Sequence, residues 1–320
     1  MKRTVLVFMA ILMVSSAFSQ RKGKGCDFRF WADSLDRLRV ESMTARTEVE
    51  RYSLNEDFTN LLELTLNEEN SFKFGWDSVK NFSVLTSPDK LFKIFTWFIP
   101  KDDYTVENFG FIQVYNDGRK KYVLYPLFDR RVTMDYPKTT IGNQNKWYGA
   151  VYYNLIPMKT KNRTYYTLLG WNGNDLFTNQ KVIEVLYFKQ DMSPVFGANI
   201  FKKYNEKAYR IIFEYAKNSV FSLKYENHTY DVGTGKRDPK THTVIYETMT
   251  ADMIIFDDIA PLDDFMGNVA AFMVPESSMN HGFIQDNGKW LYLNSVNGRN
   301  PDKDKPAHQV KAREYYNPNN

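Results

Sequence analysis

The chain has 320 residues, of which 43% are apolar and 16% aromatic, enough to bury a sizeable core and to exclude a disordered chain. Lysine and arginine number 42 against 38 acidic residues, a net charge of +4. That near balance leaves no electrostatic footprint for nucleic acid or an anionic membrane surface.

Residues 1–19 read as a secretory signal peptide. Lys2 and Arg3 precede an apolar run over 5–14, and Ala17-Phe18-Ser19 places small residues where a signal peptidase reads. The apolar run is shorter than the ~20 residues that span a bilayer, and no later run predicts a transmembrane segment. Removing the leader brings the charge to about +2. Cys26 is the single cysteine, so an exported chain gains no internal disulfide. No histidine flanks Cys26 to activate it. It also lies too far past the apolar run, after Arg21-Lys22-Gly23-Lys24-Gly25, to be a lipidation site.

A helical lead-in is expected over 20–70. Leu35, Leu38, Met43, Ala45, Val49 and Tyr52 recur at helical spacing over 33–50. Ser53-Leu54-Asn55-Glu56 fits a capping box and predicts a second helix over 54–67.

From Phe72 the period changes, and an antiparallel β domain is expected over 71–298. The early candidate strands are 79–85, 91–98, 109–115 and 122–127. The central stretch 147–188 predicts three more: 147–156, ended by Pro157, then 165–169 and 181–188. The last of these, Val182 to Phe188, is almost continuously apolar, which suggests burial on both faces. Later candidates are 208–216, 220–225, 243–248, 253–256, 282–285 and 290–294.

Asn116-Asp117-Gly118, Asn172-Gly173 and Asp286-Asn287-Gly288 predict tight reversals. Gly110-Phe111-Ile112-Gln113 recurs as Gly282-Phe283-Ile284-Gln285. The fold class is therefore mainly β, an antiparallel meander built as a large sheet, sandwich or propeller-like body, with an N-terminal helical pair. Residues 231–240 and a C-terminal tail over 299–320 read as the loosest segments.

Most catalytic motifs are missing. There is no G-x-S-x-G elbow and no H-E-x-x-H. His228, His242, His281 and His308 are far apart, so no metal site is expected. Gly235-Lys236 lacks both the first glycine and the hydroxyl residue of a phosphate loop, and no cofactor is expected. Two acidic pairs, Asp257-Asp258 and Asp263-Asp264, flank Ile259-Ala260-Pro261-Leu262. Such carboxylates at a strand end could serve as acid and base in glycoside hydrolysis, or simply cap a solvated turn. Trp171, Asn172, Asn174 and Asp175 combine a ring that could stack on a sugar with amides that could bond its hydroxyls. The alternative is a hairpin with a tryptophan folded over the sheet.

The runs SPDKLFKIFTWFIP, WYGAVYYNLIP, YYTLLGWNGNDLFTNQKVIEVLYF, VFGANIF, RIIFEYA, MIIFDDIAP and GKWLYLNSVNGRNP together span most of the chain after the leader. They resemble a set of uncharacterised exported proteins of Bacteroidota-type bacteria, whose leaders are similar around Gln20. The resemblance implies a Gram-negative envelope setting and no particular activity. No C-terminal sorting domain of the kind found on many surface proteins there is recognisable. The expected location is therefore the periplasm or outer-membrane periphery, with the extracellular side as the alternative. The leading functional expectation is a non-enzymatic module that binds an envelope protein or glycan through its strand-connecting turns. The rivals are a glycan hydrolase using the aspartates at 257–264 and a structural subunit of an envelope complex.

Overall fold

A computed structural model of the chain describes residues 27–296 apart from 206 and 268, without the side chains of 277–279. The expected leader, Cys26 and the expected tail lie outside the described residues. Two helices, α1 (Phe28–Thr44) and α2 (Glu48–Asn67), precede fifteen strands. Asp27 caps α1, accepting from the amides of Arg29 and Phe30. Thr47 caps α2 by accepting from Glu50 N at 3.2 Å.

The break between the helices therefore falls at 45–47, and Ser53-Leu54-Asn55-Glu56 lies inside α2, not at its start. Thr47-Glu48-Val49-Glu50 has the same capping spacing. Tertiary contacts decide between the two signals. Asn55 is buried and accepts from Trp97 Nε1 at 2.8 Å, while Arg51 reaches across the break to the carbonyl of Ala45 at 3.2 Å.

The strands are β1 (Ser83–Thr86), β2 (Phe92–Pro100), β3 (Val106–Asn116), β4 (Lys121–Phe128), β5 (Gly142–Asn143), β6 (Val151–Lys159), β7 (Thr164–Asn172), β8 (Thr178–Phe188), β9 (Pro194–Phe196), β10 (Phe201–Lys202), β11 (Ile211–Ala216), β12 (Leu223–Arg237), β13 (Val244–Pro261), β14 (Met273–Asp286) and β15 (Lys289–Val296). They form three sheets, and no closed propeller. The first runs β1-β2-β3-β4. The second runs β5-β9-β8-β7-β6, with β11 also paired to β8. The third runs β10-β15-β14-β13-β12. Every ladder is antiparallel except the short β10–β15 pair.

The layers follow from the two-residue period of a strand. In β2, Phe95 and Trp97 meet Leu35, Phe58, Leu62 and Leu66 of the helices. Phe92 and Ile94 meet Tyr166, Leu168, Val182 and Leu186 of the second sheet. In β8, Val182 and Leu186 face that core, while Ile183 and Val185 join Ile254, Phe256, Phe283 and Trp290 of the third sheet. The order is thus helices, first sheet, second sheet, third sheet. A strand covered on both faces takes apolar residues at nearly every position, which is why 182–188 reads as an apolar run broken only by Glu184.

Three local expectations change. Pro157 does not end its strand, because β6 lies at a sheet edge where a missing N–H breaks no ladder. Of the expected loose segment 231–240, residues 231–237 belong to β12 and only 238–240 lie in a turn. β12 and β13 pair from Leu223↔Phe256 out to Arg237↔Val244, merging the expected strands 243–248 and 253–256. Beyond Tyr230 this hairpin leaves the sheet as an exposed ribbon. The turn between β14 and β15 does follow the expected Asn-Gly geometry: φ is +49° at Asn287 and +75° at Gly288, with Asp286 paired to Lys289.

Candidate functional site

The apolar part of β13, Met253–Phe256, crosses the third sheet and delivers Asp257 and Asp258 to a place where the ladder breaks. Asp257 pairs with Asn280, but Asp258 pairs with Glu276, so three extra residues of β14 bulge out between them. On the other edge of β14 the register to β15 shifts again between Asn280 and Gly282. His281 therefore sits between two irregularities, which is how a sheet re-aims a side chain. Its Nε2 lies 3.3 Å from Asp258 Oδ1, and its Nδ1 lies 2.9 Å from the Tyr292 hydroxyl. When the ring carries its proton on Nε2, Nδ1 accepts from Tyr292, and Tyr292, His281 and Asp258 form one continuous chain of hydrogen bonds.

These groups line a cleft of about 380 Å³ together with Tyr204, Phe213, Glu214, Phe256 and, on the rim, Lys138. A smaller hollow of about 240 Å³ shares Lys138, Tyr204 and Ile212 with it. The Tyr204 ring stands 5.1 Å from Tyr292 and at 90° to Phe256. Burial pushes the Tyr204 hydroxyl up to about 12, helped by Tyr292 and Asp258. Burial likewise raises Tyr292, with Asp258 adding to the effect, so both phenols stay protonated donors at neutral pH.

Asp257 is only 7% exposed. Burial lifts its carboxyl above the usual range, opposed by the Ser222 amide and by Lys224. Its Oδ2 accepts from Ser222 N at 2.7 Å. Asp263 and Asp264 do not reach the cleft. Both are exposed, and Asp263 accepts from Phe265 N at 3.0 Å to cap a short 3₁₀ turn.

A cavity of about 540 Å³ lies between α2 and strands β3 and β4, against Tyr52, Trp97, Phe109 and Phe128. It is an apolar groove. The only carboxylate on its wall is Glu56. Chemistry concentrates in the smaller cleft.

The group at 171–175 is braced from within. Trp171 packs edge-on against Phe98 at 5.3 Å. Asn172 is fully buried, donates to Gly149 O at 2.5 Å and accepts from Arg131 and from Asn174 N. Asn174 donates to Thr178 Oγ1 at 2.6 Å, and Asp175 accepts from the amides of Phe177 and Thr178. Glu214 joins this network to the cleft it lines, accepting from Thr178 Oγ1 at 3.1 Å and from Gln180 Nε2 at 3.2 Å.

Sequence reasoning placed Asp257 and Asp258 at a strand end, whereas β13 runs on to Pro261 and holds them in its interior, at a register shift; it missed His281, Tyr292, Tyr204 and Glu214. The Asn287-Gly288 turn was the available signal. A two-residue hairpin there sets His281 and Tyr292 on one face of neighbouring strands. Among the described residues, no group of three or more His, Cys, Asp or Glu is arranged to hold a metal ion, and no described helix is long and apolar enough to cross a membrane. Compared with family models, curated proteins and solved structures, the chain matches none.

Proposed function

We propose that the chain is an exported envelope protein that binds a glycan without turning it over, in the cleft beside Asp257, Asp258, His281 and Tyr292. The observation that carries this reading is the convergence of aromatic rings and carboxylates on one cleft at the third sheet. A sugar ring presents apolar C–H faces that stack on Tyr204 and Tyr292, and hydroxyls that donate to Asp257 and Asp258. Export and the envelope setting rest on the leader and on the resemblance described above.

The acids also support a second reading. Asp257 is biased towards its protonated form and Asp258 lies next to it in the chain, the unequal pairing that a glycan hydrolase needs. Binding is favoured because Asp258 is engaged by His281 and by Ile259 N at 2.9 Å, and Asp257 by Ser222 N.

One experiment separates the readings. Protein lacking residues 1–19 is titrated calorimetrically with a panel of oligosaccharides, and the same mixtures are assayed for new reducing ends. Binding that falls at least tenfold in Tyr204→Ala, with no new reducing ends, is the expected result. Turnover abolished by Asp257→Asn or Asp258→Asn would replace it with the hydrolase. No binding to any oligosaccharide would end both.

A further inference from the structure

We propose that the cleft selects a sugar that carries a free ammonium group, held by Asp257 and Asp258. This rests on the glycan reading and adds the chemical class of the ligand.

The argument is one of a carboxylate with no ion-pair partner in a built cavity. Three carboxylates, Asp257, Asp258 and Glu214, line the cleft, against one lysine, Lys138, which is exposed on the rim. Glu214 is engaged on both oxygens by Asn174, Thr178 and Gln180. Asp258 has His281 beside it. Asp257 is different. It is 7% exposed and forms no ion pair among the described residues. Its Oδ2 takes the Ser222 amide, and its Oδ1 accepts from no described residue.

Lys224 acts on Asp257 but is exposed and does not line the cleft. A carboxylate removed from water with no cation in contact is destabilised, and a cation delivered beside it is correspondingly favoured. The walls suit the same ligand. The rings of Tyr204, Phe256 and Tyr292 carry negative faces that attract an ammonium group, and the Tyr204 hydroxyl can donate to a sugar oxygen. An acetylated amine brings the same sugar ring without the charge. An acidic sugar places like charges together.

The test uses three oligomers of equal length: one of glucosamine, one of N-acetylglucosamine and one of glucose. Calorimetric titration of the chain lacking residues 1–19 is expected to show the glucosamine oligomer binding at least tenfold more tightly than the other two. Asp257→Asn retains an acceptor for Ser222 and is expected to abolish that preference, bringing the glucosamine oligomer down to the affinity of the glucose oligomer. Tyr204→Ala, at the more exposed end of the cleft, is expected to weaken all three alike. Equal affinity for the three oligomers, or preference for the acetylated one, overturns the ammonium inference and leaves the glycan reading standing. No binding to any of them overturns both. A preference that survives Asp257→Asn and Asp258→Asn overturns the assignment of the clamp.

Discussion

Arg210 and Glu184 form an ion pair in which both side chains are 0% exposed, with Arg210 Nε 2.6 Å from Glu184 Oε2. The same guanidinium donates to the carbonyl of Thr140 at 3.0 Å and to that of Pro137. It thereby ties β8 and the start of β11 to the segment that carries Lys138 to the cleft. Arg210→Met removes the cation and leaves the Glu184 carboxylate with only the Val185 amide, at 3.0 Å. Breaking a buried pair from one side costs about 3–5 kcal/mol. An unfolding entropy of roughly 2.1 cal/mol/K per residue over ~270 residues then gives a fall in Tm of about 7 °C.

The pH dependence has a definite sign. Burial raises the Glu184 carboxyl, and Arg210 and the Val185 amide oppose it, so in Arg210→Met the raising influence of burial is opposed by the Val185 amide alone. A carboxyl raised in the folded state binds its proton more tightly there than when unfolded. The deficit is therefore smallest at low pH and grows as pH rises through the folded value. Replacing both partners, as Glu184→Leu with Arg210→Met, removes the stranded charge and is expected to restore stability to within about 1 kcal/mol of the parent or better. Thermal melts followed by circular dichroism at two pH values measure all of this. A single-variant shift under about 2 °C, or a double variant no better than the single, refutes the reasoning.

Two further outcomes follow from other features. Asp257, raised mainly by burial, stabilises the fold most at low pH and loses that contribution as pH rises from the unfolded value, about 3.9, through its higher folded value. Asp257→Asn is accordingly expected to raise Tm at pH 7 and not at pH 3, and a lower Tm at pH 7 would contradict this. Gly110 in β3 has room for no side chain, since a Cβ would lie 2.7 Å from Phe95 O. Gly110→Ala is expected to cost about 1–3 kcal/mol in urea unfolding, and a change under about 0.5 kcal/mol would show that β2 and β3 give way freely.

The layering was legible wherever one residue type dominates a strand. The run from Val182 to Phe188 announces burial on both faces, and β8 is the strand where two cores meet. Helix boundaries were less so. Thr47 and Ser53 both start a capping box, and only the contact of Asn55 with Trp97 places the second inside α2. The ribbon was missed because Gly233, Thr234, Gly235 and Lys236 have turn-like composition. They are held between the pairs Gly233↔Tyr246 and Arg237↔Val244, either side of a register shift, and local propensity cannot register such pairing. The site was half legible for the same reason. Asp257 and Asp258 stand out as acids after an apolar strand, but their meeting with His281 depends on three bulged residues of β14. No composition signal marks that displacement.

The β10–β15 pair carries a consequence for how the chain reaches its native state. Phe201 pairs with Trp290, and Trp290 N donates to Ile200 O at 2.7 Å, closing a loop of roughly 90 residues. The helices and the first two sheets draw on earlier chain, whereas Trp290 is one of the residues that complete the core between the second and third sheets. During synthesis that core stays open, with Phe256 and Phe283 uncovered, until β15 arrives. The closing strand acts as a latch, and a chain interrupted before Trp290 presents an unfinished aromatic surface of the kind that chaperones and proteases engage.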